Sequence, residues 1–581
     1  MIDLGAWLRA CLPAFIACCA LVVATPDSSA AKPSGAPAPP SIPVGDDDDG
    51  NGDGGKPYVH VYAEEGKPWA NGERLRAKLA RVGSQGMLIV HADRSGRGDY
   101  SFSGPLKVGR SVSIVAATGD EGYINLNFPS GEGCFSIGPL KSKRGKSATR
   151  DESAPKGNAD EEPGASVPEP PVIPGPDAQK ESDDDTGMCR IPPHEKHAGD
   201  PATPKGTVAL CGLRINREKA GDGEYVGKGE SGRLPACIST YASKLYMANT
   251  KVEAGRGPGL SLLNSTARMG TARPGGIDRA VAFRGLSNVA DSGSYGIRVD
   301  RKSHLLLQWT QIQGFDSGVL ADGGIDLKRG VQILFNSAGL VIGGGEEDAD
   351  IFGPRNIQIG VNDAVTTVPP STHEDPQHKQ PEIFDNDVGI RISENFEGKV
   401  DIYSARIKSK FKDKLQTGID ILPSKFRSEI VVWNTFIEGQ FAGVVTAQPL
   451  SINGPVGLYA NRYGIVFLDP YGDLREGLPP YFLEGVDFFK NGTDMNFQGL
   501  IDTELQLCNA AWPKLEWQWD QSARKRVQTG GITLEASQNA AFYKCRVRNL
   551  PSLMRALTKS GKDLFNDVCP KVEKGCPTLA R

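Results

Sequence analysis

Five polar side chains close together in the sequence could do chemistry as a group. Arg298, Asp300, Lys302 and His304 occupy alternate positions, and Asp322 holds the equivalent place in the next sequence repeat. Two carboxylates held together bind a cation such as Ca2+ or share a proton, which raises one pKa. A guanidinium can neutralise an anionic substrate, and an imidazole or amine can take the proton beside its carboxylate. The predicted catalytic set is Asp300, Asp322, Arg298 and His304, with Asp300 and Asp322 as candidate Ca2+ ligands.

A short repeated pattern would position these side chains. Each copy has a glycine, an aliphatic residue, a variable residue and usually a second aliphatic residue. The copies begin at Gly296, Gly318, Gly339, Gly389, Gly418, Gly443 and Gly464. A repeat of roughly 20 to 30 residues with short strands and no helix predicts a parallel β-solenoid. The longer interval between Gly339 and Gly389 is interpreted as two turns of the solenoid plus an insertion.

Second strand-like runs fall inside most of the intervals between these glycines. They cover His304–Gln313, Val331–Phe335, Asn356–Gly360, Val400–Ile407, Ile430–Ile437 and Val456–Ala460. Trp309 and Trp433 lie within two of these runs. Aromatic rings there could stack on sugar rings, and inward packing is an equal alternative. Trp309 is therefore a candidate substrate-binding residue.

Stacked coils would place equivalent residues about 4.8 Å apart, with aliphatic residues inward and alternate residues outward. Asp300 and Asp322 would then be neighbours on successive coils. Their competing role is in exposed ion pairs with Arg298 and Arg301, which contribute little to stability. Arg391 would lie beside Asp420 as a cross-strand salt bridge. Both residues of this second patch are also candidate substrate-binding residues.

Charge and the N-terminal segment limit the class of protein. The 581 residues include 66 Lys+Arg and 70 Asp+Glu, which leaves no basic excess for nucleic acid. Arg9 precedes the apolar run Ala10–Ala24, and small residues follow at Ser28–Ala31. This order predicts a cleavable export signal over 1–31. Its apolar run is too short for a membrane-spanning helix. We expect a secreted, periplasmic or extracellular protein.

Cysteine number points to disulfides. Of 11 cysteines, Cys11, Cys18 and Cys19 precede the expected cleavage point, which leaves eight. These are Cys134, Cys189, Cys211, Cys237, Cys508, Cys545, Cys569 and Cys576. An even number in an exported chain favours disulfides, and no spacing typical of a zinc site is present. The last four are expected to tie down the C-terminal end.

Composition divides the remaining chain. Residues 32–56 read as an acidic, disordered linker, and 57–140 as the N-terminal cap with the first coils. Residues 141–205, rich in Pro, Glu, Asp and Ser, read as a disordered insertion that could meet a protein partner. The main solenoid is expected over 206–505. A C-terminal cap with a helical segment is expected over 506–581, because an open solenoid end exposes the core.

One long insertion interrupts the regular repeats at about 361–385. It contains His373, Glu374, Asp375 and His378, which could form a lid or metal site over the groove. A solvated loop is the alternative.

The N-terminal stretch carries a family resemblance. A helix is predicted over Asn71–Val82, capped by Asn71 and with Leu75 and Leu79 on one face. Strand-like residues follow at Met87–Val90 and Ser111–Val115, with Gly98-Asp99-Tyr100 between them. This order resembles the opening of the right-handed parallel β-helix, or pectin-lyase-like, superfamily. The resemblance covers roughly 57–140 and 206–505.

That resemblance implies an all-β, right-handed parallel β-helix with an N-terminal capping helix, and most often a polysaccharide as partner. It also counts against one activity. Arg406-Ile407-Lys408 and Thr417–Asp420 resemble pieces of the polygalacturonase motifs, but they stand in the wrong order and no Gly-His-Gly is present. The Asp-Pro-His-Asp motif of alginate C5-epimerases is absent, and Asp375–His378 matches it only in part.

Three functions stay open from the sequence. The first is a uronate lyase or C5-epimerase that uses the Asp300 and Asp322 patch. The second is a non-catalytic glycan-binding protein, with Trp309 and Trp433 stacking on sugars. The third is an adhesive or structural protein that contacts a protein partner through 141–205.

Overall fold

The architecture was obtained as a computed structural model, and all described residues lie in the unit Gly54–Arg581. They cover 56–117, 119–120, 122–139, 206–217, 234–270, 281–286, 294–328, 330–343, 355–359, 380–394, 396–410, 415–424, 428–468 and 481–498, and the strand backbones at 505–508, 517–520, 525–528, 532–534, 542–545, 553–556 and 565–567. The predicted export signal, the insertion 141–205 and His373–His378 lie outside this part of the chain.

Three parallel sheets, named here A, B and C, build the molecule. In spatial order, sheet A consists of Lys56–Tyr62, Val82–His91, Val112–Ala116, Thr207–Cys211, Lys244–Ala248, Thr266–Met269, His304–Leu307, Gly324–Leu327, Arg355–Ile359, Gly398–Tyr403, Ser428–Trp433, Ser451–Ile452, Tyr481–Glu484, Leu505–Cys508, Phe542–Cys545 and Phe565–Asp567.

Sheet B consists of Gly98–Ser101, Ile124–Phe128, Leu213–Arg217, Lys251–Gly255, Val281–Gly285, Thr310–Gln313, Gln332–Leu334, Glu382–Phe384, Arg406–Lys408, Phe436–Glu438, Val456–Tyr459 and Val486–Phe489. Sheet C consists of Leu106–Val108, Phe135–Ile137, Ile238–Tyr241, Leu260–Leu263, Tyr295–Val299, Ser317–Ala321, Ala338–Ile342, Val388–Ile392, Thr417–Ile421, Ala442–Thr446, Tyr463–Leu468, Thr493–Gln498, Ile532–Leu534 and Leu553–Ala556. Trp517–Asp520 and Lys525–Gln528 form a separate antiparallel pair.

The chain visits sheets A, B and C in turn, and each strand pairs in parallel with its equivalent one coil later. This is the right-handed parallel β-helix expected from the resemblance, since parallel crossovers are almost always right-handed. Alternate residues point inward. Ile297, Val319, Leu340, Ile390 and Ile419 form one such inward column, all 0% exposed. The predicted alternation of buried and outward positions is confirmed.

Two predicted details of the coils are wrong. Ala338–Ile342 pairs directly with Val388–Ile392, so the interval from Gly339 to Gly389 is one coil with long connections. The run His304–Gln313 is two strands, because Trp309 turns the chain from sheet A to sheet B in a left-handed conformation (φ 47°). A single left-handed residue leaves no gap in hydrophobic pattern, so the corner is invisible in the sequence.

One helix, Pro68–Arg81, lies in the described part of the chain and confirms the predicted cap. Leu75 and Leu79 are buried against the first coil, as expected. The predicted N-cap residue is wrong: Pro68 occupies the first turn, so the helix starts before Asn71. The buried Asn71 side chain instead binds the backbone of Glu64 at 2.9 Å and donates to the Asp99 carbonyl at 3.1 Å.

The predicted C-terminal helical segment also differs from the structure. The described segments Leu553–Ala556 and Phe565–Asp567 are strands of sheets C and A rather than parts of a helix. Coils therefore continue past the predicted boundary at residue 505. Leucines spaced for a helix face also suit inward positions of short strands, which explains the difference.

Candidate functional site

The predicted acidic pair lies where sheet C turns into sheet A. Register places Arg298 opposite Leu320, so Asp300 and Asp322 occupy equivalent positions on successive coils, as predicted. The Asp300 carboxylate accepts hydrogen bonds from the backbone N–H of Asn264 at 3.0 Å and of Lys302 at 3.1 Å. The Ser303 hydroxyl also donates to it at 2.5 Å. These donors occupy much of the acceptor capacity of Asp300, which gives it a turn-stabilising role.

Metal binding is the second role considered for this pair. Ca2+ takes six to eight oxygen ligands, usually several from carboxylates. Among the residues that the structure describes, no group of three or more His, Cys, Asp or Glu side chains could hold a metal ion. The role of Asp300 and Asp322 as Ca2+ ligands therefore stays a prediction from the sequence.

His304 lies around the corner, on the outer face of sheet A. Its Nε2 is 3.5 Å from Oδ2 of Asp326 on the next strand. Its ring also covers Gly324, where an added Cβ would lie 2.7 Å from the imidazole Cδ2. Burial would raise the pKa of Asp326, but the hydrogen bond from His304 and the charge of Lys328 outweigh it and lower that pKa. The structure thus holds an imidazole between a carboxylate and a glycine.

The second predicted patch has the expected geometry. On the outer face of sheet C, Arg391 Nε donates to Asp420 Oδ2 at 3.1 Å, across one coil spacing. The Arg391 side chain is 40% exposed, so this ion pair contributes little to stability. Its substrate-binding role stays a prediction.

Both tryptophans lie along the boundary between sheets A and B. Trp309 sits in the corner itself, and its ring covers Gly330 of the next coil. Trp433 ends a strand of sheet A, and its ring covers Gly454 in the same way. Neither ring packs into the core, because both remain partly exposed. Of the two alternatives considered from the sequence, the structure supports the outward one.

A second group on sheet A was missed by the sequence reasoning. It consists of Lys399, Asp401, Tyr403, Glu429 and Trp433, called here the Lys399 cluster. Lys399 Nζ lies 3.5 Å from Asp401 Oδ1 and 3.3 Å from Glu429 Oε1. The rings of Tyr403 and Trp433, paired across neighbouring strands, meet edge to face with centroids 5.8 Å apart. A basic side chain, two acidic side chains and two aromatic rings therefore share one outward surface.

Burial sets the electrostatics of this cluster. Asp401 is 8% exposed, and its Oδ1 makes no hydrogen bond. Burial raises the pKa of Asp401, although Lys399 and a hydrogen bond with Tyr403 oppose the shift. Burial alone would lower the pKa of Lys399, but the carboxylates of Asp401 and Glu429 outweigh it and raise that pKa. Lys399 thus stays protonated, while Asp401 is a carboxylate that water barely reaches.

The sequence contains only a faint signal for the cluster. Lys399, Asp401 and Tyr403 alternate with Val400 and Ile402, which is the period of a half-buried strand. Their neighbours in space come from the next coil, about thirty residues later. Gly398–Tyr403 does not begin with the repeated glycine pattern, so the sequence gives no register for the outward residues of this strand.

Sheet B carries an aromatic row of a different kind. The rings of Phe436 and Tyr459 stack with centroids 5.8 Å apart and planes 22° apart, and Tyr459 meets Phe489 at 5.6 Å. Rings that face one another along the stack leave mainly their edges for a ligand. This row therefore reads as a ladder that stabilises the coils.

The single helix of the described residues is neither long enough nor apolar enough to cross a bilayer.

Some solved structures of other proteins are distantly similar to this chain. No family model matches the chain, and no curated protein matches it. Two mutant crystal structures of the periplasmic alginate epimerase AlgG are similar at 10% and 11% identity, with TM-scores of 0.29 and 0.27. They cover 86% and 85% of this chain, and 84% of each of those chains. PfbA, a surface adhesin of Streptococcus pneumoniae, is similar at 8% identity with a TM-score of 0.22, covering 83% of this chain and 87% of its own. The fold of this chain rests on its own three parallel sheets.

Proposed function

We propose that this protein is exported and binds a polysaccharide along the outer face of sheet A. The observation that carries the proposal is the Lys399 cluster, which combines hydrogen-bond donors, acceptors and partly exposed aromatic rings on one solvent-facing strip. The disulfide between Cys134 and Cys237 supports export, since such bonds persist in oxidising compartments.

The hydroxyl groups and ring faces of a sugar match the donors, acceptors and aromatic rings of the Lys399 cluster. Each sugar hydroxyl both donates and accepts a hydrogen bond, so a protonated amine beside a carboxylate can satisfy both of its atoms. Lys399 and Tyr403 supply donors, and the exposed Glu429 supplies the acceptor, while the buried Asp401 holds Lys399 in place. Trp433 offers an aromatic face beside them, and such faces bury the apolar side of a ligand ring.

The solenoid also fits a linear polymer. Successive strands of sheet A advance about 4.8 Å, so a row of outward side chains repeats at nearly constant spacing. His304 and the Lys399 cluster lie on the same face, three strands apart, which is roughly 14 Å. A chain of several sugar residues could span both groups, whereas a single sugar could not.

Binding is tested with a panel of pectate, alginate and neutral glycans against the mature protein. Trp433→Ala and Lys399→Ala are each expected to weaken binding at least tenfold, about 1.4 kcal/mol. Lys408→Ala serves as the matched control, because Lys408 forms a comparable ion pair with Glu382 on sheet B. Equal weakening in all three variants, or no binding of any glycan by the wild type, would contradict the proposal. Circular dichroism checks that each variant is folded.

A second candidate function is uronate lyase or C5-epimerase chemistry, favoured by the His304 geometry. Asp326 orients the imidazole, and Asp300 fixes the turn directly before it. His304 would take the C5 proton of a uronate, with Arg298 as the candidate to neutralise its carboxylate. In a lyase the C5–H electrons form the C4=C5 bond, and the C4–O bond breaks as its oxygen gains a proton. In an epimerase the C5–H electrons pass into the enolised carboxylate, and a proton from solvent is then added to the opposite face of C5.

Turnover separates this second function from binding alone. A lyase increases ultraviolet absorbance as unsaturated ends form, and an epimerase exchanges the C5 proton with deuterium from solvent. His304→Gln is expected to abolish either signal, and Gly324→Ala to reduce it by displacing the ring. Lys408→Ala should turn over substrate like the wild type. If His304→Gln retained full turnover, this assignment would be wrong.

A further inference from the structure

Cys508 and Cys545 occupy the same register position on neighbouring strands of sheet A. The strand Leu505–Cys508 pairs in parallel with Phe542–Cys545, and the Cα partner of Cys508 is Cys545. Paired strands lie about 4.8 Å apart. Disulfides need a Cα–Cα separation of roughly 4.4 to 6.8 Å. The backbone therefore brings these two cysteines within bridging range.

The same chain already shows a disulfide with this relation. Cys134 and Cys237 each come one residue before a pair of neighbouring strands of sheet C, in which Phe135 is the partner of Ile238. They too occupy equivalent positions on successive coils. Their Cα atoms are 4.6 Å apart, and they are bonded. One coil spacing thus accommodates a disulfide in this solenoid.

We propose that Cys508 and Cys545 form a second disulfide between successive coils, near the C-terminal end of sheet A. Each thiol gives up a proton, and the pair gives up two electrons as the S–S bond forms. Thiol–disulfide exchange passes both electrons to a disulfide oxidant of the export compartment, which leaves as a dithiol. Strands near the end of a sheet open most readily, so this bond keeps the last coils paired.

The pairing also narrows the connectivity of the other cysteines. Eight cysteines allow 105 pairings, the bond between Cys134 and Cys237 leaves 15, and the proposed bond leaves three. Cys211 is disulfide-bonded as well. Its partner is then Cys189, Cys569 or Cys576.

Peptide mapping of the mature protein tests the bond directly. The protein is purified without reductant, its free thiols are alkylated, and trypsin then cuts between the two cysteines at Lys514 and Arg526. A linked pair of peptides that carries Cys508 and Cys545, and separates on reduction, is expected. The peptides joined by Cys134 and Cys237 are the internal control. Alkylated Cys508 or Cys545, or either one linked to another cysteine, overturns the proposal.

A second measurement tests what the bond does. The double variant Cys508→Ser/Cys545→Ser is compared with Cys569→Ser/Cys576→Ser in limited proteolysis under native conditions. Cleavage within the C-terminal coils is expected to be several-fold faster in the first variant than in wild type and faster than in the second. Cleavage of the first variant at the wild-type rate would show that the bond does not hold the coils together.

Discussion

Two aspartates in one row of sheet A show how position decides the chemistry of a residue. Register aligns Asp326 with Gln358 and Gln358 with Asp401, so both carboxyls face outward at equivalent positions. Burial acts to raise the pKa of each one. In Asp326 the hydrogen bond with His304 outweighs burial and lowers the pKa, whereas in Asp401 burial prevails.

These opposite shifts predict opposite effects of removing the charge. A lowered pKa means that Asp326 stabilises the fold above its unfolded pKa of about 3.8, an effect lost as pH falls toward its folded pKa. Asp326→Asn should therefore lower the unfolding midpoint at pH 7. A raised pKa means that Asp401 stabilises the fold only below about pH 3.8, an effect lost as pH rises through its folded pKa. Asp401→Asn should therefore raise the midpoint at pH 7.

Thermal unfolding at pH 7 and pH 3 measures both variants. Each difference from wild type should shrink at pH 3, because pH 3 lies below the unfolded pKa of about 3.8 of both residues. A lower midpoint for Asp401→Asn at pH 7 would show that its attraction to Lys399 matters more than its burial.

At the scale of elements, buried asparagines connect the corners between sheets B and C. Asn386 Oδ1 accepts from the backbone N–H of Asn336 at 2.9 Å, and its Nδ2 donates to the Ile333 carbonyl at 3.0 Å. Asn461 and Asn491 repeat the arrangement at a later corner, with a distance of 3.0 Å. Each side chain satisfies backbone groups that a tight corner leaves without a strand partner.

Asn386→Ala should therefore be costly. The substitution leaves buried donors and an acceptor unsatisfied, so we expect a loss of about 2 to 3 kcal/mol in unfolding free energy. The control is Asn125→Ala, which removes one exposed hydrogen bond to Asp99 on sheet B and should cost at most about 0.5 kcal/mol. Urea denaturation measures both. Equal losses would mean that the buried Asn386 side chain contributes no more to the unfolding free energy than the exposed Asn125 side chain.

The first strand of sheet A carries a pH-sensitive contact. His60 Nδ1 and His91 Nε2 lie 2.9 Å apart in rings that stack with centroids 5.2 Å apart, so the N–H of one ring donates to the nitrogen of the other. Burial, followed by the charge of His60, lowers the pKa of His91, and Asp120 opposes the shift. Protonating both rings would place two positive charges at this distance.

Acid should therefore loosen the strand Lys56–Tyr62. Since the folded pKa of His91 lies below its unfolded value of about 6.5, stability is full above pH 6.5 and is lost as pH falls toward the folded pKa. Amide hydrogen exchange at Val59 and Val61, corrected for intrinsic rates, should be faster at pH 5 than at pH 7.5. His91→Gln should remove most of this pH dependence, and an unchanged dependence would contradict the assignment.

At the scale of the whole molecule, a solenoid has mainly contacts between neighbouring coils, so its ends and long insertions are its weak points. The helix Pro68–Arg81 covers one end. The disulfide between Cys134 and Cys237 closes a loop with a sequence separation of 103, which includes residues 141–205. It therefore joins coils that the chain itself connects only through a long segment.

Removing that disulfide should destabilise the protein substantially. Chain-entropy arguments give about 4.7 kcal/mol for a loop of this length, and Cys134→Ala/Cys237→Ala is the variant to measure. Urea unfolding without reductant measures the loss, and the difference between the double variant and Cys134→Ala, which also lacks the bond, gives the share due to core volume at Cys237. A double variant no less stable than Arg391→Ala would mean that the sheets alone hold the two segments together.

The local periodicity of the sequence was enough to predict much of the fold of this protein. Alternating aliphatic residues after a repeated glycine predicted the parallel solenoid, its inward columns and the pairing of Arg391 with Asp420. These features depend on a period that each strand carries in its own sequence. The capping helix was predictable for the same reason, because Leu75 and Leu79 fall on one helix face.

Only the tertiary structure decided which residues meet across coils. His304 and Asp326 are separated along the chain by one coil, and Lys399 meets Glu429 about thirty residues further along the chain. Coil length varies with each insertion, so sequence spacing does not determine these neighbours. The turn-stabilising hydrogen bonds of Asp300 and the burial of Asp401 likewise depend on atoms from other coils. The sequence alone therefore determined the parallel solenoid and its inward columns, whereas stacking of the coils determined which polar groups meet on sheet A.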